Sequence, residues 1–219
     1  MTRWRREGSI LENSVVDLPD WLAPLVAATR GMKTRDLTPV APQDGIGRGA
    51  AVLILLGEGP DVLVIQRAPG SVAHAGQVAF PGGAREAFDH DAAATAVREA
   101  QEETGLDPQG VHVFGALPDL WVPVSDFVVS PVLGWWRHPS IVSVQDPKEV
   151  ARVERIPLSE LSDPQNRRTV ISPSGYRGPG FVVRDMLIWG FTGGVLAGIL
   201  DVTGWADPWD EHETVEVES

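Results

Sequence analysis

The sequence lacks the features that mark several classes of protein. None of its 219 residues is cysteine, which excludes disulfide bonds and thiol catalysis and is ordinary for a cytoplasmic protein. Its formal net charge of −12 at pH 7 argues against general binding to nucleic acid or anionic membranes. The longest apolar run, residues 186–200, is too short to span a bilayer, and no apolar segment follows the basic start at residues 1–9. We therefore expect a cytoplasmic protein without a signal peptide, a membrane contact or a nucleic-acid partner.

The residues that are present predict an alternating α/β chain with a sizeable core. Hydrophobic residues make up 43% of the sequence, which suits one domain with extensions. β-rich runs alternate with helical runs, which favours a mixed sheet with helices on both faces. The expected strands are 50–57 and 61–68 as a hairpin, 79–83, 111–122, 127–136, 150–156 and 180–189. The expected helices are 18–31, 92–104, a short one near 158–161, and 192–204.

Three glutamates on one side of a helix give the first indication of function. At about 100° per residue, Glu99, Glu102 and Glu103 fall within an arc of roughly 100°. Like charges at these spacings destabilise a free helix by a few tenths of a kcal/mol per pair. A divalent cation would turn that repulsion into coordination, because Mg²⁺ and Mn²⁺ prefer carboxylate oxygens. Arg98 would relieve the same repulsion and hold the glutamates in place. A solvated acidic face is the alternative interpretation.

A glycine pair stands shortly before this helix. Phe80-Pro81-Gly82-Gly83 predicts the end of a strand and a tight turn, while Asp91 and Gly105 predict the start and the end of the helix. Glycine lets the backbone approach a ligand or metal closely and offers a carbonyl as a further ligand. A glycine turn followed by an acidic helix suits a divalent metal and a diphosphate.

This stretch resembles the Nudix box, G-x5-E-x7-R-E-U-x-E-E-x-G-U, in which U is apolar. Residues 98–106, REAQEETGL, match every fixed position of its right half, and Gly83 stands at its first position. The left half departs, because Asp89 replaces the first glutamate and one extra residue lies between it and Arg98. That expansion is associated with the coenzyme A diphosphatase branch of the Nudix hydrolases.

An upstream run is similar to the signature of the same branch, LLTxR[SA]-x3-R-x3-G-x3-FPGG. The positions that match in register are Leu63, Arg67, Ala68, Gly76 and Phe80-Pro81-Gly82-Gly83. The positions that depart are Val64, Ile65 and Val72, of which the last replaces an arginine. With later segments, the resemblance covers roughly residues 48 to 201.

The resemblance implies a Nudix-type fold, a three-layer α/β/α sandwich with a mixed sheet. We expect this hydrolase domain to occupy residues 46–204. Residues 1–45 would form an N-terminal extension with the short helix, and residues 205–219 an acidic tail that is solvated and flexible.

The resemblance also implies hydrolysis of a diphosphate bond with Mg²⁺ or Mn²⁺ as cofactor. Metal ions screen and bridge phosphate oxygens and lower the pKa of a bound water. The expected metal ligands are Glu99, Glu102, Glu103 and the Gly83 carbonyl. The expected catalytic residues are Arg98, which positions the glutamates, and either Glu102 or Glu149 as the base that deprotonates water.

Two of these acidic side chains have a structural alternative. Glu149 precedes a predicted strand in a loop that would reach the metal site, but a surface glutamate explains the pattern equally well. Asp89 either binds metal through water or caps its loop, and we favour the cap; Glu86 is a weaker candidate.

Coenzyme A requires cations for its phosphates and apolar walls for its pantetheine arm. Arg67 is the best candidate for a phosphate contact, and pairing with a box glutamate is its alternative role. The other expected substrate contacts are His74, Gln77 and Gly82. For His74, a structural hydrogen bond is the alternative that we favour.

The substitution at Val72 removes one cation of the signature and weakens the case for coenzyme A. Arg167, Arg168 and Arg177 are either replacements for it or ordinary surface charges. The Trp135-Trp136 pair either stacks on adenine or belongs to the core.

Three functions stay open at this point. The first is hydrolysis of coenzyme A or acyl-coenzyme A to 3′,5′-ADP and (acyl-)4′-phosphopantetheine. The second keeps the chemistry but acts on another nucleoside diphosphate derivative, such as ADP-ribose, NADH or a dinucleotide. The third is a non-catalytic Nudix-fold ligand-binding domain, against which the three box glutamates argue. The partner in the first two is a small-molecule nucleotide, and the N-terminal residues are candidates for a homodimer contact.

Overall fold

The computed structural model describes residues 17–37, 47–70, 75–173 and 175–217. Two groups of strands and four α-helices make up this part of the chain. The strands are β1 (Arg48–Gly57), β2 (Asp61–Arg67), β3 (Val78–Ala79), β4 (Gly82–Ala84), β5 (Val111–Ala116), β6 (Leu120–Val122), β7 (Phe127–Trp136), β8 (Val150–Pro157), β9 (Arg167–Ile171), β10 (Arg177–Val183), β11 (Met186–Ile188) and β12 (Thr214–Glu216). The α-helices are α1 (Ala23–Thr29), α2 (Ala92–Thr104), α3 (Leu158–Ser162) and α4 (Gly190–Thr203).

The larger sheet is mixed, as predicted. Its main order is β3-β2-β1-β7-β5, while β4 pairs with β1, β6 with β7 and β8 with β2. β1 runs parallel to β7, and the other pairs are antiparallel. The predicted hairpin is confirmed, since β1 and β2 are joined by the turn Glu58-Gly59-Pro60.

Alternate residues of β1 bury into opposite faces of this sheet. Leu53 and Leu55 share one core with Ala96 and Ala100 of α2. The neighbouring residues of β1 belong to a second core, which includes Ile54, Leu22 before α1 and buried residues of α4. Burial on both faces explains why β1 is an unbroken apolar run. Helices cover both faces of the sheet, so the predicted α/β/α arrangement is confirmed.

The smaller sheet differs from the sequence-based expectation. It has the order β11-β10-β9-β12. The single strand expected over 180–189 is two antiparallel strands, because the chain reverses at Arg184 and Asp185, where Arg184 has a φ of 58°. β9 was not predicted, because the charged residues at its start do not resemble a strand in the sequence. The expectation of a flexible tail is wrong for Thr214–Glu216, which pair in parallel with β9.

The N-terminal helix forms within the expected range and packs into the main body of the fold. Leu22, in a 3-10 turn, and Leu25, in α1, are fully buried. Trp21 contacts Trp205 after α4, with ring centroids 5.7 Å apart. Packing of this kind ties α1 to the rest of the described chain, whereas the domain boundaries at 45 and 204 stay a prediction.

The tryptophan pair at the end of β7 belongs to the core. Trp136 is 1% exposed, and Trp135 packs against the core cluster on the α4 side of the sheet. The core interpretation is therefore correct, and adenine stacking on Trp136 is excluded by its burial. In the described ranges, no helix is both long enough and apolar enough to cross a membrane.

Candidate active site

The glycine turn is built by close packing of β4 against β1. Gly82 pairs with Val52 and Gly83 with Ala51. A Cβ atom at Gly82 would collide with the backbone carbonyl oxygen of Ala51 and lie 2.6 Å from the Cα of Val52. Only glycine fits at this position, which explains why the turn has this sequence. The close packing brings the backbone of the turn next to α2.

The helix α2 begins and ends where the sequence predicted. The Asp91 side chain accepts a 2.7 Å hydrogen bond from the Ala94 N–H, so it is the N-cap. Gly105 ends the helix with a φ of 71°, which favours glycine. Both signals are local in sequence, and they fix where α2 begins and ends.

Asp89 and Arg98 form a buried ion pair beside this helix. Arg98 donates from Nε to Asp89 Oδ1 at 3.1 Å and from Nη2 to Asp89 Oδ2 at 3.0 Å. Asp89 also accepts from the Thr95 hydroxyl and the Glu86 N–H, and it is 4% exposed. The Arg98 guanidinium lowers the pKa of Asp89 to about 2, so this carboxylate stays charged. These contacts support the structural role that we favoured for Asp89.

The same arginine holds two of the box glutamates. Its Nη2 lies 2.9 Å from Oε1 of Glu99 and donates to the Ala84 carbonyl at 3.1 Å, and its Nη1 donates to Glu102 at 3.0 Å. The sequence predicted the contact with Glu102 but missed the contact with Ala84. Arg98 therefore links the loop, the strand β4 and two carboxylates, as expected for a positioning residue.

Glu99 lies directly against the glycine turn. A Cβ atom at Gly83 would be 2.5 Å from its Oε2 atom. Burial raises the pKa of Glu99, while Arg98 lowers it and the neighbouring charges of Glu102 and Asp89 raise it. The Glu99 carboxylate is therefore partly removed from water and lies beside glycine residues, which have no side chain. Its oxygens are well placed for a cation.

Glu103 is the most buried of the three glutamates. It is 8% exposed, and its Oε2 accepts a 2.9 Å hydrogen bond from the Gly82 N–H. Burial raises its pKa to about 7 against the effects of Gly82 and Arg67, and the charges of Glu99 and Glu149 raise it further. The sequence did not reveal this hydrogen bond, which gives Gly82 a role in holding a glutamate. The expected contact of Gly82 with substrate stays a prediction.

The predicted residues converge only in part. Glu99 and Glu103 meet at Gly82-Gly83, whereas Glu102 has a 58% exposed side chain paired with Arg98. Within the described ranges, no group of three or more acidic or histidine side chains is arranged to hold a metal ion. The buried carboxylate of Glu103 and the half-buried carboxylate of Glu99 repel each other beside the glycine turn, and such a pair nevertheless suits a divalent cation. The donor set fits the expected cofactor, and Glu102 is held by Arg98 through its Oε2 atom.

The expected substrate residues lie at the end of β2. The Arg67 backbone N–H donates to the Gln77 carbonyl at 2.9 Å, and its carbonyl accepts from the Gly76 N–H at 3.2 Å. The Arg67 charge lowers the pKa of Glu103, so this cation favours the ionised form of that buried carboxylate. His74 and Val72 lie outside the described residues, so their roles stay predictions.

We expect Asp89→Asn to weaken both the fold and the site. The amide cannot match a carboxylate that accepts two charged hydrogen bonds, so unfolding should become easier by about 2 kcal/mol at pH 7. The folded pKa of Asp89, about 2, lies below its ordinary value of 3.8, so its stabilising effect is present above pH 4 and fades as the pH falls toward 2. Urea denaturation should therefore show a lower free energy of unfolding for Asp89→Asn than for wild type at pH 7. At pH 2.5 this difference in free energy should be smaller.

A matched control is available two residues along the same loop. Asp91→Asn makes the identical chemical change at a partly exposed N-cap, where asparagine serves equally well. Its stability should stay within about 0.5 kcal/mol of wild type. Equal stability of Asp89→Asn and wild type at pH 7 would contradict the anchoring role of Asp89.

Comparison with known proteins places this geometry in a family. A model of the NUDIX domain matches residues 45–172, more than half of the chain. "Uncharacterized Nudix hydrolase NudL" of Enterobacter sp. (strain 638) is 36% identical over 187 residues, covering 77% of this chain and 94% of the relative. "Nudix hydrolase 15, mitochondrial" of Arabidopsis thaliana is 34% identical over 168 residues, with 70% of this chain covered. The match spans only 58% of that plant protein.

A solved structure supports the fold independently. The Nudix hydrolase RenU from M. Smegmatis superposes with a TM-score of 0.51, covering 77% of this chain and 100% of that one. Its sequence is 19% identical, so the similarity concerns the fold alone.

Proposed function

The chain belongs to the Nudix hydrolase family, and we propose that it hydrolyses the diphosphate bond of coenzyme A or an acyl-coenzyme A. The products would be 3′,5′-ADP and (acyl-)4′-phosphopantetheine. The observation that carries the hydrolase activity is the meeting of Glu99 and Glu103 at Gly82-Gly83, with Arg98 clamped behind them. The substrate rests on the signature that runs from Leu63 through residues 80–83.

Glu99, Glu103 and the Gly83 carbonyl would hold Mg²⁺ or Mn²⁺ in this proposal. Such an ion screens phosphate oxygens and lowers the pKa of water when bound. Arg98 keeps Glu99 oriented, and the Gly82 N–H fixes Glu103. The protein thus supplies a preorganised set of oxygen ligands around a desolvated position.

For the base that accepts a proton from water, we favour Glu149 over Glu102. The charge of Glu149 raises the pKa of the buried Glu103, which supports a place for Glu149 near the site. The Ala68 N–H donates to the Glu149 carbonyl at 2.9 Å, which fixes that loop on the end of β2. Glu102 is already bound by Arg98.

Arg67 is the proposed contact for a substrate phosphate. It ends β2 next to Gly76 and Gln77, and its charge reaches the buried glutamate. A guanidinium at this position would meet an incoming phosphate beside the carboxylates, and its planar fork suits phosphate oxygens.

Another nucleoside diphosphate derivative is the second candidate substrate. The valine at position 72 removes an arginine of the coenzyme A signature, which favours ADP-ribose, NADH or a dinucleotide over coenzyme A. A cytoplasmic location and a homodimer stay predictions. The printed name of the plant relative assigns that protein to mitochondria.

The decisive experiment compares substrates under identical conditions. The full chain is incubated with coenzyme A, ADP-ribose and NADH, each with Mg²⁺, Mn²⁺ or EDTA, and the products are separated by chromatography. We expect metal-dependent release of 3′,5′-ADP from coenzyme A. Faster turnover of ADP-ribose or NADH would transfer the proposal to the second substrate class, and no turnover with any of the three would contradict the enzymatic assignment.

A further inference from the structure

A buried arginine in the smaller sheet lacks a hydrogen-bond acceptor. Arg167, the first residue of β9, is 1% exposed, and its Nε and Nη1 atoms are buried without a partner among the described residues. Its guanidinium carbon lies 4.8 Å from the ring centroid of Phe181 and 4.9 Å from that of Trp209. The rings stabilise a cation through their π faces, but they leave these N–H groups without an oxygen acceptor.

The charge of this arginine is poorly compensated by the protein. Asp201 and Glu211 act on it through space and raise its pKa, but burial lowers that pKa more strongly. Both acidic residues are exposed, so water screens their attraction. A buried charge with unmet donors is expensive, and proteins usually pair it or bind an ion with it.

Arg167 also lines a pocket of the smaller sheet. Its Nε and Nη1 atoms are shielded from solvent, so an acceptor bound in the pocket reaches them only when the guanidinium turns toward it. The pocket has a volume of about 380 Å³. Its polar and aromatic lining consists of Arg167, Thr169, Arg177, Asp201, Trp209 and Glu211. No box residue lines it, and most of its lining follows residue 172, where the family match ends. It is therefore a feature separate from the candidate active site.

We propose that this pocket binds a small carboxylate anion with a single negative charge. Arg167 is the principal donor, and the exposed Arg177 adds a second cation at the pocket. A planar carboxylate matches the fork of in-plane N–H donors that a guanidinium presents. Asp201 and Glu211 disfavour a doubly charged phosphate, which would meet two negative side chains.

The test measures thermal stability of the full chain in sodium propionate and sodium benzoate, against sodium chloride at equal ionic strength. A ligand that binds only the folded state raises the melting temperature, by about 3 °C at tenfold excess over its dissociation constant. Arg167→Met should abolish this rise and, without anion, should melt no lower than wild type, because an unpaired buried charge is gone. Arg168→Met is the matched control and should keep the rise, since Arg168 donates to backbone carbonyls instead.

Each outcome decides the proposal. No anion-dependent rise in wild type, or an equal rise in Arg167→Met, would overturn it. A rise with inorganic phosphate but not with either carboxylate would overturn the assigned ligand class. If Arg167→Met fails to fold, Arg177→Met replaces it, because that side chain is exposed. We expect at least threefold weaker propionate binding in Arg177→Met, and unchanged affinity would count against the site.

Discussion

Glu103→Gln is expected to lower turnover by at least about 100-fold while leaving the fold intact. Glutamine keeps an oxygen that accepts the Gly82 N–H, so the local structure should survive. It removes the negative charge that a divalent cation would need, and loss of one such interaction typically costs two or more orders of magnitude in rate. Steady-state kinetics with Mg²⁺ or Mn²⁺ at saturation measure the effect.

Glu103→Gln is expected to lower turnover without lowering the free energy of unfolding. The folded pKa of Glu103 is raised from 4.5 to about 7, so ionising it opposes folding as the pH rises between those values. In the absence of metal at pH 8, we therefore expect Glu103→Gln to resist urea at least as well as wild type. The two proteins should converge toward pH 4.5.

A remote glutamate provides the control for this substitution. Glu58 lies exposed in the β1–β2 turn, at the opposite end of β2 from Arg67, and Glu58→Gln should match wild type in turnover and stability. Normal turnover in Glu103→Gln would show that the metal assignment is wrong. Reduced stability at pH 8 would instead indicate that Glu103 has a structural role.

Gly83→Ala is expected to reduce turnover at least tenfold with a nearly normal fold. The added methyl group would lie 2.5 Å from the Glu99 carboxyl, so this flexible side chain must leave its place beside the turn. The three atoms nearest to the added methyl group all belong to Glu99. Kinetics and urea denaturation of the same sample separate the loss of function from any loss of stability.

The neighbouring glycine should respond differently. At Gly82 the methyl group would meet the backbone of Ala51 and Val52, which cannot move without breaking the β1–β4 pairing. We expect Gly82→Ala to destabilise the fold by about 3 kcal/mol. Gly31→Ala, which has open space around it, serves as a neutral control. Equal activity of Gly83→Ala and wild type would contradict the placement of Glu99.

The parts of the fold that follow from local signals were predictable. Asp91 and Gly105 bound α2 because a capping side chain and a left-handed glycine act within a few residues. The turn at residues 58–60 likewise predicts the β1–β2 hairpin from the sequence. These features need no knowledge of distant residues, so the sequence alone is sufficient for them.

The parts that depend on distant partners were not predictable. Thr214–Glu216 lie in an acidic stretch of the sequence, and they form a strand because they pair with an edge of β9. Arg167 resembles a surface charge in the sequence, and its burial depends on Phe181 and Trp209. The Gly82–Glu103 hydrogen bond similarly joins two segments whose approach is set by the β1–β4 pairing.

The parallel pairing of β1 with β7 has a consequence for how the chain acquires its structure. This pairing aligns residue 48 with residue 127, so the two central strands meet only after the glycine turn and the whole of α2 have been synthesised. Contacts between such distant segments carry a high loop-closure cost and slow folding. On the ribosome, β1 would keep one edge uncovered until β7 emerges, and β2 would keep an edge uncovered until β8 emerges. Uncovered strand edges favour aggregation during this interval.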